Sequence, residues 1–85
     1  MTYFVYAMKS ESKDWISVGM TDNVERRLKQ HNSGQNKSTK PYLPFTLFYT
    51  EECLDRISAR EREKYFKSSA GKTRLRKILD GNSNS

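Results

Sequence analysis

Residues Tyr3 to Met8 read YFVYAM, an apolar run of strand length with no polar alternation. A strand with one wet face alternates, so a run that is apolar on both faces suits a central strand covered on both sides better than an edge. Polar residues Ser10 to Asp14 then form a turn. A second strand, Trp15 to Met20, does alternate: Ile16, Val18 and Met20 point one way, Trp15, Ser17 and Gly19 the other. A hairpin symmetric about that turn sets Tyr6 opposite Ser17 and Phe4 opposite Gly19.

Asp22 and Glu25 have capping-box spacing, and a helix from Asn23 to about Asn32 follows, with Gly34 as its natural stop. Residues 33–44, SGQNKSTKPYLP, form a polar, basic loop, and a loop this long in a small domain is more often functional than idle. Phe45 to Thr50 reads as a third strand. Asp55 or Ser58 caps a second helix running to about Ser68; Gly71 interrupts before a short basic helix, Thr73 to Leu79, and DGNSNS reads as a frayed tail. The expected class is α+β, an α/β sandwich in which helices flank a three-stranded antiparallel sheet, in the order β-β-α-β-α-α.

With 85 residues the chain makes one domain, expected over residues 1–80 with a flexible tail at 81–85. Five Tyr, four Phe and Trp15 can anchor a core. The single cysteine, Cys53, has no internal disulfide partner and reads as a small buried hydrophobe in a reducing compartment. The N-terminal apolar run is too short for a signal peptide, and no stretch approaches the length of a membrane span. A soluble, cytoplasmic protein is expected. Its formal net charge of +6 favours polyanions and permits nucleic acid without naming it.

Three residues on the helical wheels stand out. At 100° per residue His31 falls within roughly 20° of Val24, and Arg27 within roughly 60°, on the stripe that Val24 and Leu28 bury. Arg27 and His31 are i and i+4 neighbours, so their heads can converge on an anion. Spacing alone favours the simpler reading, a partly buried helix-end histidine and a snorkelling arginine. In the second helix Ala59 and Phe66 mark the inward face, and Glu63 lies between them. An inward carboxylate needs a cation or a metal, and Lys67, four residues on, offers a simple ion pair. One Cys and one His cannot build a zinc site, and neither a phosphate-loop motif nor a nucleophile elbow is present.

Tyr6, Gly19, Arg27, His31 and Glu63 have the order and spacing of the GIY-YIG nuclease family. FVY at 4–6 resembles its first motif, SVG at 17–19 its second, and GMTDNVERRLKQHNSG at 19–34 its following helix. KSTKPYLPFTLFYTEE and SAREREKYFKSS resemble the later part of its small stand-alone bacterial members, which are similar to the N-terminal domain of the bacterial excision-repair endonuclease. The resemblance spans about residues 3–79. It implies hydrolysis of DNA phosphodiesters with one divalent cation, Mg²⁺ or Mn²⁺, held by Glu63. It also implies a catalytic set of Tyr6, Ser17, Gly19, Arg27, His31 and Glu63, and a role in DNA repair on branched, single-stranded or damaged DNA. Ser17 stands where the family has its second tyrosine, and Phe4 where it has a glycine. The alternative reading is therefore a nucleic-acid-binding module whose chemistry is weakened or lost. Lys37, Lys40, Tyr42, Lys67, Lys72 and Arg74 are the candidates for nucleic-acid contact.

Overall fold

The computed structural model describes residues 2–35 and 37–83; position 36 of the long loop and positions 84 and 85 of the expected tail lie outside the described residues. The strands are β1 (Tyr3–Ser10), β2 (Ile16–Thr21) and β3 (Phe45–Cys53), and the α-helices are α1 (Val24–Asn32), α2 (Arg56–Lys67) and α3 (Ser69–Ser83). Sheet order is β2-β1-β3 with both pairings antiparallel, so the doubly apolar run of β1 is the central strand. Val5 and Ala7 face one core, with Ile16, Val18, Ala59, Phe66 and Leu75, against α2 and α3. Tyr6 and Met8 face the other, with Phe45, Val24 and Leu28, against α1. Truncating the fully buried Phe66 to alanine should cost ~3–5 kcal/mol.

The hairpin register differs by two residues from the symmetric expectation. Tyr6 pairs with Gly19, Met8 with Ser17 and Phe4 with Thr21. Ser10 is the reason: its Oγ accepts from the amides of Ser12 and Lys13, and its own amide bonds to the Trp15 carbonyl. β1 therefore continues past Met8, and the turn is centred nearer Ser12–Lys13. On the other edge, β3 passes from Tyr49 opposite Ala7 to Leu47 opposite Met8, so Phe48 is the extra residue of a bulge.

The cap of α1 is Asn23, whose Oδ1 accepts from the Arg26 amide at 3.0 Å, and not Asp22. Asp22 instead takes the Arg26 guanidinium at 2.8 Å. Asp55 caps α2 through the Ser58 amide, one of the two residues expected to do so. The third helix begins earlier than expected and ends later, at Ser83, so that residues 81–83 continue it. The break after α2 is Ser68, and Gly71 lies inside α3. A Cβ on Gly71 would stand 2.5 Å from the Phe66 Cα and overlap the Tyr65 carbonyl. The glycine marks a close approach of two helices joined by one residue rather than an interruption.

Candidate functional site

Tyr6 projects from β1 toward α1, and its cross-strand partner is Gly19. A Cβ on Gly19 would stand 2.7 Å from the Tyr6 Cζ and closer still to its hydroxyl. The missing side chain is what lets the phenol lie across β2. The phenol takes up the room beside the glycine.

From α1, His31 is buried and Arg27 half-buried, as their wheel positions require. Tyr6 Oη and His31 Nε2 are hydrogen-bonded at 3.2 Å, and Arg27 Nε donates to Tyr6 Oη at 3.4 Å. His31 Nδ1 bonds to Thr39 Oγ1 at 3.1 Å. Thr39 is a residue sequence reasoning missed: it is buried within a polar loop where no periodicity points to it. The loop is brought back by Asn32, which accepts from the Phe45 amide at 2.8 Å and donates to the Phe45 carbonyl at 3.2 Å.

Burial raises the Tyr6 pKa and outweighs the hydrogen bond and charge of Arg27, which lower it; the Glu63 carboxylate adds a smaller upward push. Burial first, and then Arg27, lower the His31 pKa. At neutral pH the pair is a phenol and an uncharged imidazole.

Tyr6, Ser17, Gly19, Arg27, His31 and Glu63 all line one cavity of about 420 Å³. Glu63 comes from α2, in the layer on the opposite face of the sheet from α1. β2 is an edge strand, and the cavity is lined by residues of both its faces, so the hollow wraps round that edge. Glu63 is half-buried and pairs with Lys67 Nζ at 3.5 Å, so the i,i+4 ion pair and the cavity-facing carboxylate hold together. Lys67 and Lys72 also line the cavity. Lys72 donates to the Ile16 carbonyl at 3.0 Å, and burial foremost lowers its pKa. Three cations, Arg27, Lys67 and Lys72, thus face one carboxylate, a balance suited to a phosphate.

The other expected contact residues are dispersed. Lys37 lines a second hollow that shares Arg27 and His31 with the first. Lys40 is exposed in a 3₁₀ turn, Lys40–Tyr42. Tyr42 does not line the cavity but stacks on Trp15, which does. Arg74 is exposed on α3, and its charge acts on Tyr49 and Glu51 of β3. The sequence places Trp15 on the face of Ser17 and among the aromatics that can anchor a core.

Among the described residues no group of three or more His, Cys, Asp or Glu is gathered to hold a metal ion. The donor set at the cavity is one hard carboxylate beside open space. That fits Mg²⁺ or Mn²⁺, which keep most of their waters, and does not fit an ion that needs an all-protein cage. Among the described residues no helix is long and apolar enough to cross a membrane.

The model of the GIY-YIG catalytic domain matches residues 2–77. A UPF0213 protein of Bacillus licheniformis is 41% identical over 64 residues, 74% of this chain and 66% of that protein. One of Natronomonas pharaonis is 32% identical over 79 residues, covering 92% of each chain. The solution NMR structure of the UPF0213 protein BH0048 from Bacillus halodurans superposes with a TM-score of 0.56 at 30% identity, over 92% of this chain and 85% of that one. The names of these relatives state no activity. With the match running from the first residues of β1 into α3, the chain belongs to the GIY-YIG catalytic-domain family.

Proposed function

We propose that the protein is a divalent-metal-dependent endonuclease that hydrolyses DNA phosphodiester bonds at the cavity along the β2 edge. The observation that carries this reading is the convergence of a phenol, a guanidinium, an imidazole and a carboxylate, from three elements in three layers, on one hollow with a net cationic lining.

The hydrogen bonds suggest how the proton moves. Arg27 donates to the Tyr6 oxygen, Tyr6 donates to His31 Nε2, and His31 Nδ1–H donates to Thr39. This assignment gives every bond one donor and one acceptor with a neutral imidazole. A water on the Tyr6 oxygen attacks phosphorus; its proton passes to Tyr6 as the phenolic proton passes to His31. Tyr6 ends as a phenol and His31 as an imidazolium. The P–O3′ bond breaks, and the departing oxygen takes a proton from solvent. Such acid–base assistance is worth ~10²–10⁴-fold. Arg27 uses two N–H groups, on Tyr6 and on Gln30 Oε1, and the rest of its fork can meet the non-bridging oxygens as their charge grows. Glu63 would hold the cation, which when bound supplies Lewis-acid stabilisation of the phosphate and the leaving oxygen.

Nicking of supercoiled plasmid tests the reading. Cleavage in Mn²⁺ or Mg²⁺ that stops with chelator is the expected result; an absence of cleavage on plasmid, branched and single-stranded DNA alike would contradict it. Ser17 favours a second reading, a module that binds nucleic acid without cutting, since its hydroxyl is shorter and less acidic than a second phenol. Binding whose affinity falls steeply with salt, without cleavage, marks that case. Ser17→Tyr then tells whether the missing phenol limits the rate, because it should raise cleavage if so.

A further inference from the structure

Trp15 stands at the mouth of the second strand, half-buried, on the same face of the sheet as Ser17, Gly19 and Tyr6. One face of its indole is covered by Tyr42, with centroids 4.1 Å apart and planes 26° from parallel. The backing is fixed in place. Ser10 Oγ donates to the Tyr42 carbonyl at 2.6 Å, the Tyr42 amide bonds to the Thr39 carbonyl at 3.0 Å, and Lys13 Nζ lies 5.2 Å from the Tyr42 ring centre. Phe45 meets the indole at a tilt, with centroids 6.1 Å apart. Trp15 is only partly buried and also lines the cavity, together with Ser17, Gly19, Lys67 and Lys72. Four residues of strand separate Trp15 from Gly19, about 13 Å at 3.3 Å per residue. A single strand whose phosphate enters the cavity can cross that distance within a few nucleotides.

We propose that Trp15, backed by Tyr42, is a stacking platform for one unpaired nucleobase of the strand whose phosphate enters the cavity. The proposal rests on the nuclease reading for the position of that phosphate, and it names the substrate class: a single strand, flap or frayed end. Bases inside a duplex hide their faces against each other, whereas an unpaired base presents a face that an aromatic ring accepts whatever its sequence. The phosphate contacts of Lys67, Lys72 and Arg27 do not separate these forms. The platform does.

Trp15 is the chain's one tryptophan, so the intrinsic emission reports it directly. The full chain is titrated in chelator, where cleavage is not required, with a short oligothymidylate, with an abasic phosphodiester strand of the same length and charge, and with a duplex. The expected result is quenching by oligothymidylate and an affinity about tenfold above that of the abasic strand. Followed by the fluorescence anisotropy of end-labelled ligands, because these variants carry no tryptophan, Trp15→Ala should equalise the two ligands and Trp15→Phe should keep most of the preference. The wild-type comparison needs no variant, so it stands even if Trp15→Ala does not fold. Equal affinity and equal quenching by the abasic strand, or by duplex, would overturn the platform. Failure to cleave plasmid, branched and single-stranded DNA alike would remove the hydrolytic reading and leave this measurement intact; cleavage without base preference would remove the platform alone.

Discussion

Two groups in this molecule are made of the same side chains. On β3 and α2, Glu51 takes both ends of the Arg62 guanidinium, and the Tyr49 hydroxyl donates to it at 2.6 Å. At the cavity, Tyr6, Arg27 and Glu63 offer the same tyrosine, arginine and carboxylate, but Arg27 bonds to the phenol and Glu63 to Lys67. The first group is closed: the guanidinium meets the carboxylate as a bidentate pair, and beside Arg62 the Glu51 carboxyl stays below its ordinary pKa. In the second, the charges are held apart by the β2 edge, and the space between them is the cavity. Composition does not distinguish a structural cluster from a candidate catalytic one. The difference is whether the charges have found each other.

This comparison can be broken by substitution. Glu63→Gln should reduce plasmid nicking on the order of 10³-fold, the several kcal/mol that a bound metal ion supplies, with little change in Tm. Retained nicking would mean that the carboxylate has been given the wrong role. Tyr6→Phe should reduce it ~10²-fold by removing the hydroxyl between Arg27 and His31, and circular dichroism should show the fold intact. Arg62→Ala acts on the other group. It should leave nicking unchanged at a temperature where the protein is folded and cost about 1 kcal/mol, a fall of about 5 °C in Tm for a domain this small. The pair is partly exposed, which keeps that cost modest.

The two groups should also separate by pH. The folded pKa of His31 is depressed, so in acid the unfolded chain binds more protons there, and the contribution is present above about pH 6.5 and lost as pH falls through the folded value. The folded pKa of Glu51 is likewise depressed, and its contribution is lost only below the ordinary glutamate range. Thermal melts between pH 7 and pH 5 should show a shallow loss of stability that His31→Gln flattens and Arg62→Ala does not. The reverse pattern would mean that the histidine is not buried as a neutral ring. This is the smallest of the expected effects.

Periodicity made much of this visible in advance. A doubly apolar run identified β1 as central, and wheel positions put His31 inside beside Arg27 and turned Glu63 inward. The resemblance then joined side chains that spacing alone left with simpler explanations. The remaining features depend on single hydrogen bonds or contacts that no repeat encodes. Ser10 shifts the hairpin by two residues through its hydroxyl. Asn23, immediately before Val24, caps α1, while the neighbouring Asp22 is engaged by Arg26. Gly71 reads as a breaker in a string of residues but is a helix-packing residue in three dimensions. Thr39 and the Trp15–Tyr42 stack are joined across the chain by a loop whose sequence is merely polar.

The most direct measurement places Glu63→Gln and Glu51→Gln side by side in one nicking assay with Mn²⁺, both checked for folding at the assay temperature. With the chemistry at the β2 edge, the first should be silent and the second should cut like wild type. Cutting by Glu63→Gln, or its loss only in a folded Glu51→Gln, would place the chemistry elsewhere and contradict that assignment.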